Sequence, residues 1–348
     1  MMILQSFRGR GGRLPAGSNL PASRQLAVRG ARLDLNARAW ELCRAMIADR
    51  QALGISVSAN ESGCHLIDCG IAAPGSWEAG RRLAEVCLAG LAEVTFTTAP
   101  DAFGVEQSIA VATDKPVAAC MASQYAGWRI ASGKYFAMGS GPMRAAGSKE
   151  PLFDVIGMRE RPAAAVGVLE ARGFPPAALC RELAEQCGVA PDQMSLLAAP
   201  TASFAGTAQI VARSVETALH KLFELGFDLH RVERGQGTAP LPPVAADDLA
   251  AIGRTNDAIL YGGAVTLWVR GDDASLATIG PQVPSCASRD FGQPFAAIFE
   301  RYHRDFYAID PHLFSPAQVT FHNLDSQRSW SFGELAPEVV RQSFGGSL

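Results

Sequence analysis

Residues 163–198 constrain the fold more than any other stretch. Positions 163–169 read as a strand, 175–187 as a helix and 194–198 as a second strand. Two strands joined through a helix form a crossover, and a crossover lays its strands parallel in one sheet. The rest of the chain mixes hairpins with helices. Residues 54–58 and 65–69 flank the turn Asn60-Glu61-Ser62-Gly63, and 109–112 and 117–121 flank Thr113-Asp114-Lys115-Pro116 as a second hairpin. Further strands are predicted at 94–97 and 265–269, with a final one at 319–321. Helices are predicted at 35–53, 77–91, 247–260 and 299–306, and residues 235–243 read as a loop. The class is therefore α/β with α+β character. A chain of 348 residues is long for one core. The expected division is a basic, disordered extension over 1–32, or a start codon placed too early, then one α/β domain over 33–160 and another over 161–348.

After the crossover comes a turn, a Ser/Thr helix start and a long helix reaching Lys221. At roughly 100° per residue, Gln209, Arg213, Glu216 and His220 fall on one narrow stripe. Val211, Val215, Ala218, Leu219 and Leu222 fall on the opposite face. Two readings stay open here. An Arg and a Glu three residues apart are the ordinary content of a solvated helix face. They are also a base beside a cation, the parts of a hydrolytic site. The stripe is poor in charge for a solvated face, because Ala212, Ser214 and Thr217 flank the pair.

Composition excludes several classes. No run approaches the about eighteen apolar residues of a membrane span. The net charge is −3, with six arginines and no acid before Asp34, so the body is mildly acidic and unlike a nucleic-acid surface. The first 33 residues lack the apolar core of a secretory signal. The eight cysteines are scattered, and Cys64 and Cys69, the closest pair, have no partner cluster that would complete a zinc site. The expectations are no metal, a reducing cytoplasmic compartment and buried thiols.

Residues 139–147 are not a dinucleotide fingerprint: Gly139 and Gly141 fit, but Arg144 stands where the third glycine belongs. The segment reads as a tight loop entering a helix, with Ser140, Gly141 and Arg144 either lining a pocket or closing a turn. Residues 123–128 are placed on a loop at a strand end. Asn256 offers a donor and an acceptor to a heterocycle edge, or is structural.

Several segments together resemble the methenyltetrahydromethanopterin cyclohydrolase family. They are Asp68-Cys69-Gly70, Pro74-Gly75-Ser76, Gln124-Tyr125-Ala126-Gly127-Trp128, residues 134–142, the 200–221 helix, Thr255-Asn256-Asp257, Pro284-Ser285-Cys286, Arg289-Asp290-Phe291-Gly292 and residues 305–311. The order matches from about Leu33 onward. The resemblance implies two mixed α/β domains packed together with a substrate pocket at their interface, in a cytoplasmic homotrimer. It implies hydrolytic opening of the methenyl bridge of a tetrahydromethanopterin to the formyl form, in one-carbon and formaldehyde metabolism of methylotrophs and related organisms. No cofactor, nucleic acid or membrane partner is implied. Arg213 and Glu216 match the family's catalytic pair. Gln124, Tyr125 and Ala126 match a loop lining the site, where some members carry Lys at the position of Tyr125. Ser140, Gly141, Arg144 and Asn256 are the further substrate-binding candidates.

The methenyl carbon shares the positive charge of two nitrogens and lacks only a deprotonated water. Glu216 is the candidate base, and Arg213 the group that tunes it and receives the formyl oxygen. The alternatives are a pterin-binding protein without activity and a cyclohydrolase acting on another reduced pterin.

Overall fold

The computed structural model describes residues 34–345, so the expected basic extension over 1–32 lies outside the described residues. Strands occur in the order β1 (Ser56–Ala59), β2 (His65–Asp68), β3 (Glu93–Thr98), β4 (Gln107–Thr113), β5 (Trp128–Ser132), β6 (Tyr135–Ser140), β7 (Ala165–Glu170), β8 (Met194–Ala199), β9 (Val232–Pro240), β10 (Ala264–Val269), β11 (Gln318–Asn323) and β12 (Ser329–Gly333). They form two six-stranded sheets, β1-β2-β8-β7-β6-β5 and β12-β11-β10-β9-β4-β3. Both are mixed, and helices accompany both, so the class is α/β. Each sheet takes strands from both sides of residue 160.

The crossover is as expected. β7 and β8 run parallel, with Val166 opposite Ser195 and Val168 opposite Leu197, and the Ala177–Cys187 helix joins them. Alternation divides the strands between two faces. Val166, Val168, Leu197 and Ala199 pack in one core with the helices Leu35–Ala48 and Trp77–Cys87. Ala165, Leu169, Leu196 and Ala198 pack in another with the Ala177–Cys187 helix. Both faces are covered, which is why these strands read as apolar runs. The Trp77–Cys87 helix touches β7 of the first sheet and β3 of the second, and pairs closely with the Phe204–Val211 helix.

Four expectations are corrected. Residues 117–121 are not a strand: Val117–Gln124 is a π-helix with all eight residues buried, and β4 pairs instead with β3 and β9. A short apolar run carries no periodicity that separates a buried strand from a buried helix. Residues 235–243 are not a loop, because most of them belong to β9. Its glycines make room for the neighbouring helix: a Cβ on Gly235 would meet Val215 Cγ1 at 2.7 Å, and one on Gly237 would meet Ser214 Oγ at 2.5 Å. The helix expected at 299–306 runs instead from Phe295 to Arg301, and β11 is followed by β12 and the Pro337–Phe344 helix.

The fourth correction bears on the site. The long helix is two helices, Phe204–Val211 and Ser214–Glu224, broken at Ala212 and Arg213. Ser203 caps the first, its hydroxyl accepting from the Gly206 amide at 3.0 Å. At the break, the Ala212 carbonyl accepts from Gln124 Nε2 at 3.0 Å. A side chain entering the hydrogen-bond ladder is a recognised cause of a helix break.

Candidate active site

Arg213 stands at the break, so its side chain leaves the joint between two helices rather than the flank of one. Its guanidinium is held by three other segments. Nη1 donates to the Gln124 carbonyl, and Nη2 lies 3.2 Å from Ser140 Oγ, 3.1 Å from Gln209 Oε1 and 3.5 Å from Cys87 Sγ. Gln124 ends the π-helix, Ser140 ends β6 and Cys87 ends the Trp77–Cys87 helix. One arginine thus ties the first sheet to the helices above the second.

Glu216 lies one turn into the second helix, with Oε2 3.7 Å from Arg213 Nη1. The side chains of Arg213 and Glu216 are 1% and 0% exposed, which overturns the reading of a solvated surface pair. Burial drives the Glu216 carboxyl up and the guanidiniums of Arg213 and Arg144 draw it back, leaving it at about 7. Neither carboxylate oxygen has a hydrogen-bond donor, and Arg213 Nε and Gln124 Oε1 are likewise buried without partners. Buried polar atoms are normally satisfied. Here four atoms that are not belong to three residues joined to one another.

A second arginine lies behind the first. Arg144 is fully buried. Its Nε and Nη2 grip Glu150 at 3.0 and 2.6 Å, and Nη1 donates to the carbonyls of Met121 and Ser123 at 3.0 and 3.3 Å. Its guanidinium carbon lies 4.7 Å from the Tyr125 ring centre. The same ring stacks on the His220 imidazole, at 4.8 Å and 16°. Burial holds His220 down to about 3, so the imidazole is neutral.

The structure therefore brings Arg213, Glu216, Gln124, Tyr125, Ser140 and Arg144 into one cluster. Ala126 is buried in the main core beside them. Gly141 makes the turn after β6 at φ +86°, its amide donating to the Ser123 carbonyl. Asn256 sits on the Asp248–Leu260 helix, where Nδ2 donates back to the Ile252 carbonyl at 2.7 Å. That helix packs on Phe204–Val211, one element removed from the pair. Sequence reasoning missed Cys87 and Glu150. Cys87 sits on the apolar face of its helix, and nothing in the sequence marks Glu150 as the counter-ion of Arg144.

Fold and site define the class: an α/β enzyme whose central element is a buried arginine–carboxylate pair at a helix joint. A family profile described as Cyclohydrolase (MCH) matches residues 34–344. The chain is 48% identical over 317 residues to a methenyltetrahydromethanopterin cyclohydrolase of Methylobacterium sp. (strain 4-46), covering 90% of this chain and 98% of that protein. It is 46% identical to the protein of that name from Xanthobacter autotrophicus, over 88% of this chain and 90% of the other. It is 45% identical to the one from Methanosarcina barkeri, over 82% and 89%. The chain belongs to the methenyltetrahydromethanopterin cyclohydrolase family.

Proposed function

We propose that this enzyme adds water reversibly across the methenyl bridge of a methenyl-tetrahydromethanopterin, giving the formyl form. The observation that supports it best is the buried, donor-free Glu216 carboxylate beside Arg213, with the Gln124 and Arg213 atoms left unsatisfied around it.

In this reading the electrophile is the substrate itself, so no metal or nucleotide cofactor is called for. Glu216 takes a proton from water as the oxygen bonds to the methenyl carbon. The bridging carbon then carries a hydroxyl. One C–N bond breaks, its electron pair stays on nitrogen, and the proton held by Glu216 goes to that nitrogen. The hydroxyl proton leaves as the formyl C=O forms, so the cation and water become a neutral amide and one released proton. Such base assistance is worth about 100- to 10,000-fold. Arg213 stabilises the developing oxygen charge, and Glu216 offsets the cost of a guanidinium near a cationic substrate. Tyr125, Gln124, Ser140 and Gly141 line the pterin site, in a pocket between the two sheets, and Asn256 binds its polar edge.

The same reading places the reaction in one-carbon and formaldehyde metabolism in the cytoplasm, carried out by a homotrimer. Among the described residues no helix is long and apolar enough to cross a membrane. The test follows loss of methenyl-tetrahydromethanopterin absorbance with wild type and Glu216→Gln, using methenyl-tetrahydrofolate as control. Turnover of the methanopterin alone, abolished in the variant, supports the reading. Tight binding without turnover by wild type would replace it with a carrier.

A further inference from the structure

The Arg144–Glu150 pair lies outside the chemistry just described, yet it is built with unusual completeness. A buried ion pair is costly unless every donor is matched. Here Arg144 is matched by both Glu150 oxygens and by two backbone carbonyls, and Ser148 Oγ adds a hydrogen bond to Glu150 Oε1 at 2.7 Å. The order of the groups is directional. Glu150 grips Nε and Nη2. Nη1 turns to Met121 and Ser123 of the π-helix, and that helix packs on Ser214–Glu224. Nη1 thus lies on the side of the π-helix, which packs on the helix that carries Glu216, while the Glu150 carboxylate lies beside the Tyr125 ring and acts on His220 one turn further on. The guanidinium, the Tyr125 ring and the His220 ring form one stack that ends one turn beyond Glu216.

We propose that Arg144 is a positioning residue for the reaction, a second cation that Glu150 and the Tyr125–His220 stack hold toward Glu216 so that the carboxyl can accept a proton from water. The proposal rests on the reading of Glu216 as the base. The groups around Glu216 are few. Arg213 lies at the helix start, Cys120 and Tyr125 come from the π-helix and the residue after it, Arg144 lies beyond the Tyr125 ring, and His220 is one turn on. β9 meets the helix through Gly235 and Gly237, and Val265 of β10 lies alongside. Burial makes His220 neutral, so Arg213 and Arg144 are the cations that offset the desolvation of Glu216.

The test reads Glu216 directly. The carbonyl stretch of the protonated carboxyl, assigned by its loss in Glu216→Gln, is titrated by infrared difference spectroscopy without substrate. Arg144→Met/Glu150→Gln removes both charges of the pair, so no buried ion is left single. Its midpoint is expected to rise by about half a pH unit or more, and the acid limb of kcat to rise with it, a roughly threefold loss of turnover below the limb. Glu150→Gln alone leaves the guanidinium uncompensated, keeps one of the two acceptor oxygens of residue 150, and is expected to lower the midpoint. Midpoints unchanged in both variants would make Arg144 a packing residue and overturn the proposal. Midpoints that move while the kcat limb stays put would overturn Glu216 as the base, and with it the role given to Arg144.

Discussion

Glu216 is a carboxyl under two opposed influences, and its function depends on the balance. Burial favours the protonated acid, while Arg213 and then Arg144 favour the carboxylate. A base works only when ionised, so kcat is expected to rise with pH through about 7 and level off above it. Glu216→Gln should lose most of kcat, with KM changed far less, and should lack that limb. A variant that kept both turnover and limb would transfer the role of base to another group. Arg213→Lys tests the fork. The guanidinium reaches Gln124, Ser140 and Gln209 at once, and one ammonium cannot. A loss of about 100- to 1,000-fold in kcat is expected, the usual cost of one oxyanion donor. Steady-state kinetics at a pH above the limb separates this loss from any shift in ionisation.

At the scale of elements, the site depends on how closely one helix approaches one strand. Ser214–Glu224 lies on β9 because Gly235 and Gly237 present no side chain to it. Gly237→Ala would set a Cβ 2.5 Å from Ser214 Oγ and 3.0 Å from Val215 Cγ2. Overpacking of this kind costs about 1–3 kcal/mol. A lower Tm is expected together with a fall in kcat, because the displaced residues immediately precede Glu216. Unchanged melting and kinetics would mean that the strand yields instead. The same contact explains a miss in the sequence reading. Two glycines within a nine-residue strand look like a loop, and their reason for being there is a helix more than ten residues earlier in the chain. Local signals served well where an element was capped, as at Ser203 and Asp247, and at the β7–β8 crossover, where two buried apolar runs flank a half-buried helix. They failed at Val117–Gln124, which is wholly buried and has no side-chain cap, because such a segment shows neither a polar face to reveal its period nor a helix start. The pair Arg213–Glu216 was legible as one stripe. The break that aims Arg213 was not, because Gln124 causes it from 88 residues away.

For the whole molecule, the buried titratable groups leave an imprint on stability, and its sign differs from group to group. Glu216 is held up at about 7 and Asp257 at about 8, each chiefly by burial. A carboxyl whose folded value is raised binds its proton more tightly in the folded state. Its contribution is fully present below the unfolded value and is lost as pH rises to the folded one. For Glu216 that window runs from 4.5 to about 7, and for Asp257 from 3.8 to about 8. His220 acts in the opposite sense. Burial lowers it from 6.5 to about 3, so the unfolded chain binds the extra proton and stability grows as pH rises through that range. Between pH 4.5 and 6.5 the two carboxyls and the imidazole therefore oppose one another. Above 6.5 the imidazole has nothing left to add, and the carboxyl losses continue. Cys180, lowered to about 7, and Lys221, lowered to about 8, add stability as pH rises above those values, so denaturant unfolding is expected to show stability declining between pH 6.5 and 7. In Glu216→Gln the part of that decline nearest pH 7 should be removed. A parallel curve for the variant would mean that Glu216 titrates in the folded protein as it does in the unfolded chain, and the balance of burial against two arginines would then be wrong for both stability and catalysis.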